Sequence, residues 1–574
     1  MVYDTIKNME NIKKNLVLHL KSAVWDLLGE DIEPRIDHPA ESHGEYSSNI
    51  ALVGSKILSK DPLTLAEEIK NKFPKMEFIE KIEVAKPGFI NFWISKDYLT
   101  ALMIRIIRAK EEYGRSKRLE NKKIMVEFTD PNPFKEFHIG HLYSNTVGES
   151  ISRLLEANGA IVKRANYQGD IGMHIAKSLY AILQISNLKS QISNLEKRSV
   201  KERAEFLGEC YAKGTKAYEE DENAKSEIEQ LNKKIYDKDQ DVMGLYEKGR
   251  QWSLEYFEEI YKRLGTKFDF YYFESEVGKD GLELVKEYLK KGVFIESKGA
   301  IIFPGERYNL HNRVFINSMG LPTYEAKELG LALRKYKDFP YDRSIIITGN
   351  EIVAYFKVLL AALERIDSSL AKKTRHISHG MVRLPSGKMS SRTGNVITGE
   401  WLIDETKRFL QDRHPEMEND ILEKVTIGAV KYALLKSGIG RDIEFNFGES
   451  ISLVGNSGPY LQYAFARTQS VVAKARVMNY ELRIMNYEFE PEEDSLLRAI
   501  HRFPDTAEEA AESFAPNQLC NYLFDLSQKF NLFYQKHQIL GSKKEIFRLS
   551  LTQAVGQILK NGLNLLGIQT PEKL

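Results

Sequence analysis

Thiols are nearly absent from this chain. Its two cysteines, Cys210 and Cys520, stand far apart in 574 residues. A cysteine-only zinc site is excluded, and a disulfide framework is not expected. That fits a reducing cytoplasm. Long apolar runs are also missing, so no membrane span is expected. The stretch "MVYDTIKNMENIKKNLVLHL" mixes acids and bases and has no signal-peptide core. Neither sign of charge dominates, with 82 basic against 81 acidic residues and a net of +1. A nucleic-acid partner must therefore be held by local basic patches, because there is no global field to attract it. Internal repetition is slight: "QISNLKS" is echoed by "QISNL", and "MNYELRI" by "MNYE". Nothing recurs at a repeat-protein period, and both echoes are expected in surface insertions.

What remains is an ordinary globular composition. A hydrophobic fraction of 42% supports well-formed cores, and the length implies two to four domains. Residues 1–112 read as a small α/β unit. It has a helical pattern from Ile6 to Leu28, a second helix in "PLTLAEEIKNKF", and strands broken at Pro87-Gly88. "RLENKK" reads as a linker. "KIMVEFT", from Lys123 to Thr129, is a short strand. Leu142, Val147, Ile151, Leu154 and Leu155 then share one helical stripe that stops at Asn158-Gly159, and "AIVKRANY" is a further strand. Together they make a βαβ unit and hence a parallel sheet. Residues 184–262 are charged and helical, with Ile185, Leu188, Ile192 and Leu195 at heptad a and d places. Mixed α/β structure resumes at about 263 and gives way to helices from about 401. "RSIIITGN" reads as a buried strand, and "EIVAYFKVLLAALERI" as an apolar helix.

Between that first strand and its helix lies "DPNPFKEFHIGHLYSNTVGES". A helix N-terminus offers unpaired N–H groups and partial positive charge, and at the end of a parallel strand it attracts phosphate. Gly140 allows a flat base to approach the backbone. His138 and His141, three residues apart, can face one ligand and hold an α-phosphate through imidazole N–H groups. Lys135 adds a mobile positive charge. Taken alone, the stretch is equally a plain helix start with two surface histidines. Far downstream, Lys388-Met389-Ser390-Ser391-Arg392 sits in a glycine-serine loop. Lys388 and Arg392 can follow the β and γ phosphates as pyrophosphate leaves.

The two motifs, in this order, resemble the signatures of the class I aminoacyl-tRNA synthetases, His-Ile-Gly-His and Lys-Met-Ser-Lys-Ser. More narrowly, "VEFTDPNPFKEFHIGHL", "KPGFINF", "GPYLQYAFART" and "NGLNLLGIQTPEKL" are similar to segments of the arginyl-tRNA synthetase family, and the resemblance spans nearly the whole chain. It implies an α/β and all-α multidomain protein. A D-loop-binding domain covers 1–112. A Rossmann-like parallel-sheet catalytic domain covers 118–400, with a helical insertion at about 184–300. An all-helical anticodon domain covers 401–574. ATP is implied as substrate, with Mg²⁺ accompanying it and no zinc. L-arginine and tRNA(Arg) are the other partners, without a membrane, in a cytoplasmic monomer.

The resemblance also implies site residues. His138, His141, Lys135 and Lys388 are catalytic. Gly140, Met389, Ser390, Ser391 and Arg392 join the histidines and Lys388 around ATP. Glu127, Tyr324 and Glu328 meet the guanidinium, and Asn132 holds the α-amino group. Two carboxylates and a phenol suit a planar cation with five donors, and Tyr324 and Glu328 lie at i, i+4. Glu328 replaces the family's usual Asp. Ser391 replaces the second lysine of the loop signature, a loss for which Lys135 compensates in related enzymes. "TGNEIV" departs from the usual family sequence, with Asn350 or Glu351 as an unassigned further contact to ribose or arginine. For tRNA, Phe89 and Asn91 match D-loop positions, and Tyr460, Gln462, Tyr463 and Arg467 match the anticodon-facing start. Such aromatic faces stack on splayed bases, although tyrosines packed between helices have the same spacing. Asp170 and His174 match a segment near the acceptor end.

Overall fold

The computed structural model describes residues 12–384, 397–475 and 488–574. The N-terminal unit begins with α1 (Ile12–Leu28), which buries Ile12, Leu16, Leu20, Ala23 and Val24 on one stripe. The part of the expected helix before Ile12 lies outside the described residues. Strands β1 (Ile36–Asp37) and β2 (Tyr46–Ser48), helices α2 (Ile50–Leu58) and α3 (Pro62–Lys72), and strands β3 (Ile79–Ala85) and β4 (Phe89–Ile94) follow. The strands form an antiparallel sheet in the order β1-β2-β4-β3. Asp61 caps α3 by accepting the Thr64 N–H at 2.8 Å, and Pro62 fits the first helical position. Helix α4 (Lys96–Ala109), capped by Ser95, leads away from this sheet.

The second unit starts with β5 (Lys123–Glu127), α5 (Ile139–Ala157) and β6 (Ile161–Gln168). Helices α6 (Met173–Leu183), α7 (Leu188–Leu195), α8 (Val200–Glu220), α9 (Glu222–Tyr236) and α10 (Gln240–Leu264) come next. After them run β7 (Phe270–Phe273), α11 (Glu274–Lys290), the strands β8 (Ile295–Ser297), β9 (Ala300–Phe303) and β10 (Arg313–Ile316), and α12 (Tyr324–Asp338). β11 (Arg343–Gly349), α13 (Val353–Ile366), α14 (Ser368–Lys373), β12 (Thr374–His379) and β13 (Val382–Arg383) complete it. Five of these strands pair in parallel in the order β12-β11-β5-β6-β7. Counted from β5, this is the doubly wound 3-2-1-4-5 arrangement. Its strand order reverses between β5 and β11, which opens a crevice at their carboxyl ends.

The inserted material is not one block over 184–300. β7 returns to the parallel sheet, so five helices, α6 to α10, cross over before it, and β8, β9 and β10 form a separate antiparallel sheet after it. The four-residue "FYYF" was hidden between long charged helices. The expected heptad stripe does not build a coiled coil. Leu195 is buried, and Ile185, Leu188 and Ile192 pack partly against the core of this helical cluster.

Two close approaches set the crevice. A Cβ on Gly148 of α5 would lie 2.1 Å from Phe128 Cγ, so only glycine lets the helix press onto the end of β5. A Cβ on Gly330 of α12 would lie 2.5 Å from the Val277 carbonyl oxygen, and α11 and α12 therefore cross almost backbone to backbone.

The third unit is helical: α15 (Gly399–Arg413), α16 (Asn419–Leu435), the short strand β14 (Ile443–Glu444), α17 (Phe447–Ser450), α18 (Gly458–Lys474), α19 (Pro491–His501), α20 (Phe503–Ser513), α21 (Pro516–Lys536) and α22 (Glu545–Leu565). It packs against both other units. Tyr46 donates its hydroxyl to Asp505 at 2.8 Å, and Lys13–Glu509 and Arg498–Glu45 ion pairs flank the same seam. The end of α22 and the segment after it reach the catalytic unit. Ser150 of α5 donates to the Leu565 carbonyl at 3.1 Å, and Arg153 to that of Asn564 at 3.1 Å. Lys431 donates to the carbonyls of Leu264 at 2.6 Å and Gly567 at 2.8 Å. Burial pushes this lysine down to about 8.

Candidate active site

The loop from β5 to α5 carries the first motif. Thr129, Asp130 and Phe134 all adopt positive φ there, at 83°, 46° and 66°. Non-glycine residues rarely take that conformation, and such strain clusters at functional sites. His138 is the N-cap of α5. Its Nδ1 accepts the Gly140 N–H at 3.1 Å and the His141 N–H at 3.3 Å, while His141 Nδ1 accepts the His138 N–H at 3.3 Å. The rings stack with centroids 3.4 Å apart. Burial pushes His138 down to about 4, with Lys135 and His379 contributing, and holds His141 still lower. Both imidazoles are therefore neutral. Each Nδ1 is engaged as an acceptor, so the proton of each ring belongs on Nε2. The pair thus offers two Nε2–H donors with no net charge.

Gly140 serves differently from expectation. A Cβ there would meet His138 Cε1 at 2.9 Å, so the imidazole itself occupies the space above this glycine. The plain reading as surface histidines also fails, since His141 is buried. Lys135 lies with its ammonium 4.5 Å from the Tyr211 ring centroid on α8. Lys388, Met389, Ser390, Ser391 and Arg392 lie outside the described residues. The next described residue, Ile397, accepts the Ile139 N–H at 3.0 Å, and Gly399 N–H donates to the Phe137 carbonyl at 2.7 Å. The exit of the second motif's loop is therefore tied to the entry of α5.

At the carboxyl end of β5 lies a cluster of carboxylates. Glu127, at the end of β5, is buried and paired with Lys335 of α12 at 2.5 Å. Glu274 is paired with Lys327 at 2.6 Å, also buried. The Lys327 ammonium lies 5.1 Å from the Tyr324 ring centroid and 5.7 Å from that of Tyr236 on α9. Asn132 closes one side: a Cβ on Gly169 would lie 2.2 Å from its Oδ1 and 3.1 Å from Glu274 Oε1. Two more carboxylates, Asp130 and Glu328, face this cluster, and neither has an ion pair among the described residues. Burial first, then the charge of Glu127, raises both well above the usual carboxylate range. Tyr324 stands at the rim, 53% exposed. The expected quartet of Glu127, Asn132, Tyr324 and Glu328 thus converges. Asp130, Glu274, Lys327 and Lys335 were missed. A signal for Lys335 was available, since it follows Tyr324 and Glu328 at spacings of eleven and seven on a helix. Asn350 and Glu351 are exposed at the end of β11.

The expected tRNA residues divide. Phe89 is 37% exposed, which argues against a plain core role, whereas Asn91 beside it is buried. Tyr460 is buried and packs on Phe524, and its hydroxyl accepts from Asn531 at 2.9 Å. Gln462 is buried and donates to the carbonyls of Lys424 at 3.1 Å and Gln569 at 2.7 Å. Neither is open to a nucleobase, because helix packing consumes both. Tyr463 and Arg467 do line a cavity of about 1020 Å³ with Tyr534, His537 and Lys573, and the Arg467 guanidinium lies 4.7 Å from the Tyr463 ring and 4.9 Å from the Tyr534 ring. Asp170 and His174 are structural. Asp170 accepts from Arg250, Tyr246 and Ser275, and a His174 ring nitrogen is bonded to the Gly169 carbonyl at 2.7 Å.

Comparison with known proteins agrees with this geometry. Residues 103–447 match the family model described as tRNA synthetases class I (R), catalytic domain, residues 461–574 the DALR anticodon binding domain, and residues 10–94 the arginyl tRNA synthetase N terminal domain. The chain is 32% identical to an arginine–tRNA ligase of Borrelia garinii subsp. bavariensis, covering 97% of this chain and 99% of that one. It is 30% identical to that of Phocaeicola vulgatus, covering 98% and 100%. The fold is shared with the Thermus thermophilus arginyl-tRNA synthetase at a TM-score of 0.82 and 23% identity, covering 98% of this chain and all of that one.

Proposed function

The chain belongs to the class I arginyl-tRNA synthetases, which join L-arginine to tRNA(Arg) at the expense of ATP, and on that premise we propose how its residues divide the work. The observation that carries arginine specificity is the charge balance of the pocket. Lys335 and Lys327 neutralise Glu127 and Glu274, while Asp130 and Glu328 have no paired cation among the described residues. A guanidinium restores the balance and releases the cost of crowding buried carboxylates. Glu328, Tyr324 and the free oxygen of Glu127 receive its N–H groups, and Asn132 holds the α-amino group. The substrate carboxylate then points along the crevice towards α5.

That carboxylate attacks the α-phosphorus of ATP, and pyrophosphate leaves. The Nε2–H groups of His138 and His141 meet the oxygens on which charge grows. Neutral donors bind the developing charge without holding the ground-state phosphate too firmly. Lys135 and, from the downstream loop, Lys388 stabilise the departing phosphates. Mg²⁺ reaches the site with ATP. The terminal tRNA ribose then takes the arginyl group from the resulting arginyl-adenylate through its 2′-hydroxyl, and AMP leaves. Phe89 meets the D-loop, and Tyr463, Arg467 and Tyr534 receive anticodon bases. We place the enzyme in the cytoplasm as a monomer. Among the described residues no helix is long and apolar enough to cross a membrane.

Charging purified tRNA with each radiolabelled amino acid tests the reading: arginine alone is incorporated, and incorporation of lysine at a similar rate refutes it. Activation is expected to need bound tRNA. Brisk ATP–pyrophosphate exchange without tRNA would remove that part.

A further inference from the structure

The arginine pocket contains a group that no motif singles out. Strand β6 pairs with β5 in parallel, with Ala165 opposite Glu127. Side chains alternate along a strand, so Tyr167, two residues after Ala165, shares the face of Glu127. Helix α12, carrying Glu328 and Lys335, covers that face. Tyr167 is 7% exposed, and its hydroxyl has no hydrogen-bond partner among the described residues. Burial first, then the charges of Glu274 and Glu328, the Tyr355 phenol and the charge of Glu127, push this phenol well above its ordinary value. Its backbone is held in place: the Tyr167 N–H donates to Asp130 Oδ1 at 2.8 Å.

Buried hydroxyls nearly always find a partner, because leaving one unpaired has a free-energy cost. An orphan beside carboxylates, in a pocket built for a five-donor cation, is a partner waiting for its ligand. We propose that Tyr167 is a further specificity-determining residue for the amino-acid substrate. Its phenol oxygen accepts one guanidinium N–H, a role that sequence analysis gave only to Tyr324. The inference rests on the arginine-pocket reading above.

Tyr167→Phe tests it in the full-length enzyme, with Tyr272→Phe as control. Tyr272 is the β7 partner of Tyr167 in register, and its buried hydroxyl also has no hydrogen-bond partner among the described residues. Four quantities are read: the melting temperature without ligand, and kcat, KM for arginine and KM for ATP during tRNA charging. Tyr167→Phe should melt at the same temperature or slightly higher, because it deletes an unpaired polar group. Its KM for arginine should rise about tenfold, the loss of one hydrogen bond, with KM for ATP and kcat within twofold. Tyr272→Phe should leave all three kinetic constants unchanged. An unchanged arginine KM in Tyr167→Phe overturns the proposal. So does an equal rise in the control, or a fall of several degrees in melting temperature, which would mark a structural hydroxyl. If the wild-type enzyme does not charge arginine at all, the pocket reading fails first. If it does and Tyr167→Phe matches it, only the role of Tyr167 fails.

Discussion

At the scale of single residues, the site is governed by neutral histidines and unevenly paired carboxylates. His138 and His141 cap each other's backbone, so they are at once helix-starting and phosphate-facing groups. Replacing both by alanine should lower charging by at least a hundredfold, the loss of two transition-state donors, while tRNA binding measured by filter retention persists. Loss of the reciprocal cap should also cost about 1 kcal/mol of stability in denaturant titration. A pH dependence follows from the same groups. Burial holds His138, His376 and His501 at about 4 and His174 at about 3, all below the unfolded value of 6.5. The unfolded chain therefore binds protons first. The stability these histidines contribute is complete above about pH 6.5 and is lost as pH falls towards 4. Melting temperatures across that range should drop, and a flat profile would contradict the buried, neutral assignment. The histidine motif was legible because its spacing is rare and lies at a strand-to-helix junction. The roles of Tyr460 and Gln462 were not, because a polar residue on a helical stripe has the same spacing whether it faces a base or a neighbouring carbonyl.

Elements were legible where their period was clean. β5, α5, β6, β11 and α13 fall where alternation and stripes place them. β7 escaped, because four aromatic residues between long helices carry no period of their own. The crossing of α11 and α12 was equally silent: a glycine in a helix looks like a mild defect until the second helix is seen against it. Gly330→Ala should push the two helices apart and cost about 1–3 kcal/mol by overpacking. Because α12 carries Tyr324, Glu328 and Lys335, the same change should raise KM for arginine more than KM for ATP. Equal effects on both constants would show that α12 does not position the pocket.

At the scale of the molecule, the helical unit acts as a brace. Asp505 accepts from Tyr46 at 2.8 Å in the N-terminal unit, while Lys431 and Gln462 secure the segment after α22. Domain order was readable from composition and motifs, but such long-range stitches join residues hundreds of positions apart and leave no local pattern. Deleting residues 567–574 removes one of the two acceptors of each of Lys431 and Gln462 and part of the lining of the Tyr463 cavity. Each lost hydrogen bond costs about 0.5–1.5 kcal/mol. The deletion should lower the melting temperature and abolish charging, and a truncated enzyme with wild-type kcat would show that the brace is dispensable.

One consequence of that stitching concerns birth and not steady state. Ser150 is joined to Leu565 across 415 residues of chain. On the ribosome, the first catalytic helix must therefore wait, its far half uncovered, until almost all of the remaining polypeptide has emerged. A nascent chain halted short of that point holds its signature motif yet cannot finish the surface behind it. Synthesis interrupted midway should thus yield fragments that chaperones and proteases recognise, and not a partly active enzyme competing for charged substrates.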